Sequence, residues 1–261
     1  MFGANRILKP VKGTGDVLEV QEIFPTIQGE GPNTGVPAIF IRLGGCNLAC
    51  KFCDTEFDSF APMCLEEVLG RTEILSNKVT PLPPGEGGFS EAKLRRAGEG
   101  LKNIYREPSP GANAPPSPGG RGLIVITGGE PLRQPIERLC QELVDKGFKV
   151  QIETNGTLYR DLPKEVEIVC SPKNTGTGYH RIREDLLPRI SALKFIISAN
   201  DPLYLDVAEV GQGDHNIPVY VQPMDEIDKT KNRQNFARAI ELSQQRGYRL
   251  SIQVHKVLGL P

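Results

Sequence analysis

Seven short β-rich runs, separated by helix-forming or turn-rich stretches, constrain the fold of this 261-residue chain more than any other feature. They fall at 38–43, 123–127, 149–153, 167–171, 193–198, 219–222 and 250–255. Between them, Ile136, Leu139, Cys140, Leu143 and Val144 recur at helical spacing, and 232–246 reads as a second helix. Alternation of this kind means βαβ units and a parallel sheet, so the class is α/β. Seven strands are one fewer than a closed barrel needs, which makes a partial (β/α) barrel the expected architecture and a doubly wound sheet its rival. The length suits one domain, 1–261, and a 38% hydrophobic composition supplies a core. Segment 81–122 stands apart, with 8 prolines and 9 glycines in 42 residues. It reads as a low-complexity insertion whose middle, 90–106, has a short amphipathic pattern and whose flanks cannot continue a regular element.

In parallel α/β folds, chemistry gathers at the C-terminal ends of strands. The first run leads into Cys46, Cys50 and Cys53, spaced Cys-x-x-x-Cys-x-x-Cys in a Gly-rich turn. Thiolates this close cannot all pair as disulfides, but they can converge on one soft metal centre. Three ligands for a 4Fe-4S cube leave one iron open to a small molecule, whereas an electron-carrying centre normally has four. Zinc is a rival and would need a fourth ligand, for which Cys64 is the nearby candidate. Three unconnected structural cysteines are the plainest alternative, and Cys64, Cys140 and Cys170 read as ordinary structural residues.

The other runs end in polar motifs too: Thr127-Gly128-Gly129-Glu130-Pro131, Glu153-Thr154-Asn155-Gly156-Thr157, Ser171-Pro172-Lys173, Gln222-Pro223-Met224-Asp225 and His255-Lys256. Singly, each reads as a turn, a helix start or a structural histidine. Together on one rim they suit a ligand, with glycines admitting a backbone close to an amino group and Asn155, Ser171 and Lys173 offering donors to hydroxyls and a carboxylate. Gln28, Gly29 and Glu30 sit in a turn before the first strand, and Arg42 near its end. An amide, a carboxylate and a guanidinium close together can read a flat polar heterocycle bearing an acid, with Arg42 forking onto the acid. A surface ion pair between Glu30 and Arg42 is the bland alternative.

A net charge of -1 without a basic stretch argues against nucleic acid, and no run approaches a membrane span. Residues 1–9 lack the apolar core of a signal peptide, and six cysteines without an export signal point to reduced thiols in the cytoplasm.

The combined pattern resembles the 7-carboxy-7-deazaguanine synthase family of radical S-adenosylmethionine enzymes. It comprises Thr26-Ile27-Gln28-Gly29-Glu30-Gly31, the cysteine triad ending Phe52-Cys53-Asp54-Thr55, the rim motifs above, and the final His255-Lys256-Val257-Leu258-Gly259-Leu260-Pro261. The resemblance covers nearly the whole chain except 1–16 and the insertion. It implies that a reduced 4Fe-4S cluster on Cys46, Cys50 and Cys53 cleaves S-adenosylmethionine to a radical. The radical takes hydrogen from 6-carboxy-5,6,7,8-tetrahydropterin, which contracts to 7-carboxy-7-deazaguanine, a queuosine precursor, with loss of ammonia. It further implies Mg2+ at Thr55 and S-adenosylmethionine at Phe52, Cys53, Asp54, Gly129, Ser171, Pro172, Lys173, Gln222, Pro223, Met224 and Asp225. Pterin would meet Ile27, Gln28, Gly29, Glu30, Arg42, Thr127, His255 and the carboxylate of Pro261. An electron donor such as flavodoxin or ferredoxin and a homodimer are expected on the same ground. A glycyl-radical-enzyme activase shares the triad, and a non-enzymatic zinc-binding protein is the other competing reading.

Overall fold

The computed structural model describes residues 5–50, 53, 55–77 and 121–260. The expected helix at 90–106, all but the last two residues of the insertion, and Phe52, Asp54 and Pro261 lie outside them.

The described residues form one mixed sheet of nine strands in the order β3-β1-β2-β4-β5-β6-β7-β8-β9. The strands are β1 Val17–Ile27, β2 Pro37–Leu43, β3 Ala61–Cys64, β4 Leu123–Gly128, β5 Lys149–Thr154, β6 Glu167–Cys170, β7 Ile190–Ile197, β8 Val219–Pro223 and β9 Arg249–Leu250. From β2 onward, excepting β3, each strand is parallel to the next in chain order. The order never reverses, as it would at the switch point of a doubly wound sheet. The sheet is therefore wound as a barrel but left open, with β3 and β9 as its edges.

Two strands escape sequence reading. β1, antiparallel to β2, contains Pro25 and an irregularity between Val20 and Glu22 that breaks the period-2 alternation. β3 has only four residues, one of them Pro62, and pairs with β1 at the edge where proline is tolerated. The expected strand at 250–255 is a correction in the other direction. Pairing stops at Leu250, and Val254–Leu258 is a short helix. Val254 N–H goes to Gly29 O at 3.1 Å instead of extending the ladder beside β8, which itself ends at Pro223, a residue without an N–H to give. His255 is therefore helical.

We label the helices α1 Leu65–Ser76, α2 Glu137–Asp145, α3 Gln212–His215, α4 Lys229–Arg246 and α5 Val254–Leu258. α4 begins at 229 rather than 232, because Asp228 caps it by accepting from the Thr230 and Lys231 N–H groups at 2.8 and 3.0 Å. Strand alternation sorts the sheet into two unlike faces. One buries Ile39, Ile41, Ile124, Ile126, Val150, Ile152, Leu193, Phe195 and Val221 beneath Val68 of α1, Leu139 and Leu143 of α2 and Leu242 of α4. Burying each such side chain contributes roughly 1.5–3 kcal/mol. The other face carries Arg42, Thr127, Gln151, Glu153, Lys194 and Gln222.

The turn after β1 lies across that polar face. Asn33 Nδ2 donates to Gln151 Oε1 at 2.6 Å and Glu167 Oε2 at 2.7 Å, and Gly31 N to Ser251 Oγ at 3.0 Å. This fixes Gln28 and Glu30 over the strand ends.

Candidate active site

A cleft of about 400 Å³ opens at the C-terminal ends of the parallel strands. It brings together Ile27, Gln28, Glu30, Arg42, Cys50, Cys53, Thr55, Thr127, Gly129, Ser171, Lys173, Gln222, Pro223, Met224, Asp225 and His255, residues separated by more than 200 positions. Cys46 is buried behind it, and Pro172 and Gly29 do not line it.

The glycines of the rim have reasons within the protein. Gly128 has φ +122°, and a Cβ there would lie 2.1 Å from Leu43 O; at Gly129 it would lie 2.0 Å from Gly45 O. Their lack of side chains thus lets the end of β4 press against the turn that carries the cysteines. Glu130 N donates to Gly45 O at 3.0 Å, and the Glu130 carboxylate accepts from Leu132 N, Thr154 Oγ1 and Asn155 N at 3.0, 2.7 and 2.7 Å. Burial pushes its pKa up, against the opposing pull of these donors and of Lys173. Glu130, through its backbone N–H and its carboxylate, therefore ties together the turns after β2, β4 and β5.

Asn155 continues the tie. Its Nδ2 donates to Asn47 Oδ1 at 3.0 Å, and Asn47 Nδ2 to Thr157 Oγ1 at 2.8 Å. On the other side, Asn5 Nδ2 donates to Thr55 O at 2.8 Å, lies 3.7 Å from Cys53 Sγ, and its Oδ1 accepts from Phe57 N at 2.9 Å. Asn5 and Asn47 were not legible as site residues, because an asparagine beside a turn is commonplace.

All six cysteines are free thiols. Burial pushes Cys46 up to about 11 despite the Leu48 N–H, with Glu130, Cys50 and Cys53 adding negative charge; burial also raises Cys50, against Lys173. Among the described residues, no three His, Cys, Asp or Glu side chains converge as a metal site. The donor set nonetheless suits an iron-sulfur cluster, since three thiolates on one turn would repel one another and are favoured only with a cation among them. Cys64 is exposed on edge strand β3 and does not line the cleft, which removes the fourth ligand considered for zinc.

Glu30 and Arg42 both line the cleft but do not pair with each other, so the ion pair between them is not formed. Arg42 Nη1 pairs with Glu22 Oε1 at 2.8 Å, and its guanidinium sits 5.2 Å from the centre of the Phe24 ring. Glu30 pairs with Lys194 of β7, and Gln253 Nε2 donates to Glu30 Oε1 at 2.8 Å. Burial would raise the Glu30 pKa, but the Lys194 charge, the two donors and nearby His255 outweigh it and hold the carboxyl well below the usual range. Gln28 reaches Glu153 Oε1 at 3.0 Å. Lys194 was missed, although a lone charge in the apolar run Ile190-Ser191-Ala192-Leu193-Lys194-Phe195-Ile196-Ile197 was a signal available in the sequence.

At the far rim, Ser171 N donates to Thr154 O at 2.8 Å and Lys173 Nζ to Ser171 Oγ at 2.8 Å. Asp225 is held low by Asn232 Nδ2, then by Ile227 N and Lys256. Met224 O accepts from Asn235 Nδ2 at 2.9 Å, which anchors this turn on α4.

Comparison with known proteins shows the family of the chain. No protein-family model matches the chain. The 7-carboxy-7-deazaguanine synthase of Rickettsia prowazekii is 50% identical over 260 residues, spanning 100% of this chain and 96% of that protein. The chain belongs to the 7-carboxy-7-deazaguanine synthase family. The family member of Rhodospirillum rubrum is 35% identical over the whole of both chains. The solved structure of QueE from Escherichia coli shares the fold, with a TM-score of 0.57 over 91% of this chain and 94% of that one at 24% identity. The family is thus seated on an open barrel whose rim gathers most of the residues that the sequence motifs singled out.

Proposed function

We propose that this chain converts 6-carboxy-5,6,7,8-tetrahydropterin to 7-carboxy-7-deazaguanine with loss of ammonia, in the queuosine precursor pathway. The observation that carries the reading is the cleft in which the cysteine turn meets Gln28, Glu30, Arg42, Thr127 and His255. Cys46, Cys50 and Cys53 would hold a 4Fe-4S cluster, and Thr55 would offer its hydroxyl to Mg2+, a hard ion that prefers oxygen. When bound, the cluster and S-adenosylmethionine supply the radical chemistry that opens a substrate C–H bond.

The rest of the task is placement. Gly129, Ser171, Pro172, Lys173, Gln222, Pro223, Met224 and Asp225, with Phe52, Cys53 and Asp54, would seat S-adenosylmethionine, Lys173 supplying a cation for its carboxylate. Arg42 presents a guanidinium to the pterin carboxylate, and its contact with Phe24 and Glu22 keeps that fork in one orientation. Glu30 and Glu153 present acceptors to the amino and ring N–H groups of the heterocycle. Gln28 and Thr127 add neutral polar contacts, and His255 closes the side of the cleft nearest Glu30.

Six free thiols support a reducing, cytoplasmic compartment. Among the described residues no helix is long and apolar enough to cross a membrane. The family resemblance supports a flavodoxin- or ferredoxin-type donor and a homodimer. The reading is tested by ammonia release from the reconstituted, reduced protein. One ammonia per pterin consumed, with S-adenosylmethionine undiminished, supports it, and pterin loss without ammonia overturns it.

A further inference from the structure

Lys194 is the one cation set inside β7, and its side chain is 5% exposed. It meets two carboxylates at once. Its Nζ bonds Glu30 Oε2 and lies 3.4 Å from Glu153 Oε2. Both carboxylates line the cleft and are themselves mostly buried, at 14% and 19% exposure. Each is also held by amides. Gln253 donates to Glu30, while Gln28 and Gln151 donate to Glu153 at 3.0 and 3.3 Å. A carboxylate has about four lone-pair sites, so acceptor capacity remains on both toward the cleft.

We propose that Lys194 is a positioning residue of the pterin site: its ammonium clamps Glu30 and Glu153 as a fixed pair of ionised acceptors for the N–H edge of a flat amino-oxo heterocycle. The proposal rests on the function proposed above and names what gives that site its selectivity. Without the ammonium, two buried carboxylates would face each other with His255 of α5 nearby, and with Arg42, Lys173 and the Asp225–Lys256 pair elsewhere on the cleft wall. Like charges in such surroundings do not both stay ionised, and one takes a proton. A protonated carboxyl donates where the heterocycle also donates, so the match to substrate is lost. Glu30 belongs to the turn after β1, Glu153 to β5 and Lys194 to β7, so the clamp also fixes the turn over the strands.

The test combines a direct readout of protonation with kinetics. The reconstituted protein, carrying carboxyl-labelled glutamate, is titrated by infrared difference spectroscopy as wild type, Lys194→Met and Lys194→Arg. We expect Lys194→Met alone to show an additional glutamic-acid carbonyl band titrating between about pH 6 and 8. Any band from Glu130 is common to all three. The pterin kcat/KM of Lys194→Met should fall at least about 100-fold, mainly through KM, with Lys194→Arg losing less than about 10-fold. Adding Glu30→Gln to Lys194→Met should abolish the extra band and recover part of the KM. If Lys194→Met alone does not fold, this pair, which removes the opposed charge, should; a pair that stays unfolded overturns the proposal. Absence of the extra band in folded Lys194→Met overturns it as well, as does an unchanged KM. Failure of the wild type to turn over pterin would defeat the function proposed above and leave the infrared result to decide the clamp.

Discussion

Gly29 and His255 stand so close that a Cβ on Gly29 would lie 2.0 Å from His255 Nδ1 and 3.0 Å from the His255 backbone nitrogen. Rotating the imidazole cannot relieve the second contact, so α5 itself would have to move. Gly29→Ala should therefore cost about 1–3 kcal/mol of stability, as overpacking does, and lower pterin kcat/KM at least about tenfold by displacing His255. Denaturant midpoints and steady-state kinetics check both parts.

Glu130→Gln tests the carboxylate's tie between the turns after β4 and β5. An amide keeps one acceptor oxygen but turns an N–H pair toward one of the present donors, Leu132 N, Thr154 Oγ1 or Asn155 N. The expected cost is about 1–3 kcal/mol for a buried donor left unsatisfied. Equilibrium unfolding measures it, and stability equal to wild type would show that the tie is dispensable.

Arg42→Lys keeps the charge but loses the planar fork beside Phe24 and Glu22. Pterin KM should rise about tenfold or more, while iron content and S-adenosylmethionine affinity stay at wild-type values. Substrate titrations and iron analysis separate these effects.

Acid stability should carry the signature of Glu30. Its folded pKa is depressed, so its contribution is fully present above the unfolded value near about 4.3 and is lost as pH falls through the folded value. The stability gap between wild type and Glu30→Gln, measured by urea unfolding, should therefore be constant from about pH 7 to pH 5 and shrink below about pH 4. A gap independent of pH down to pH 3 would contradict the ion pair with Lys194.

The parallel strands were legible because β2 and β4 to β8 are compact apolar runs ended by turn residues. β1 was not, since Glu19, Glu22 and Pro25 interrupt its pattern and its pairing with β2 carries a register shift. The stretch after Leu250 alternates like a strand, yet the Gly29 carbonyl takes the N–H that a ladder would use. For the site, motifs at strand ends announced themselves by composition. Lys194 and Glu153 did not stand out as partners, because their pairing depends on two strands that share a barrel interior and on a turn laid across it. The partner of Glu30 was hidden for the same reason: the sequence does not say which side of the turn faces β7.

One anaerobic experiment asks directly whether this cleft performs a radical ring contraction. The protein is reconstituted with iron and sulfide, reduced, and incubated with S-adenosylmethionine and 6-carboxy-5,6,7,8-tetrahydropterin, and the products are identified by mass. The expected product is 7-carboxy-7-deazaguanine, formed only when S-adenosylmethionine is present and absent from a Cys50→Ala variant that fails to retain iron. Full iron and product in Cys50→Ala, or a wild type that binds a cluster and leaves the pterin unchanged, would contradict it.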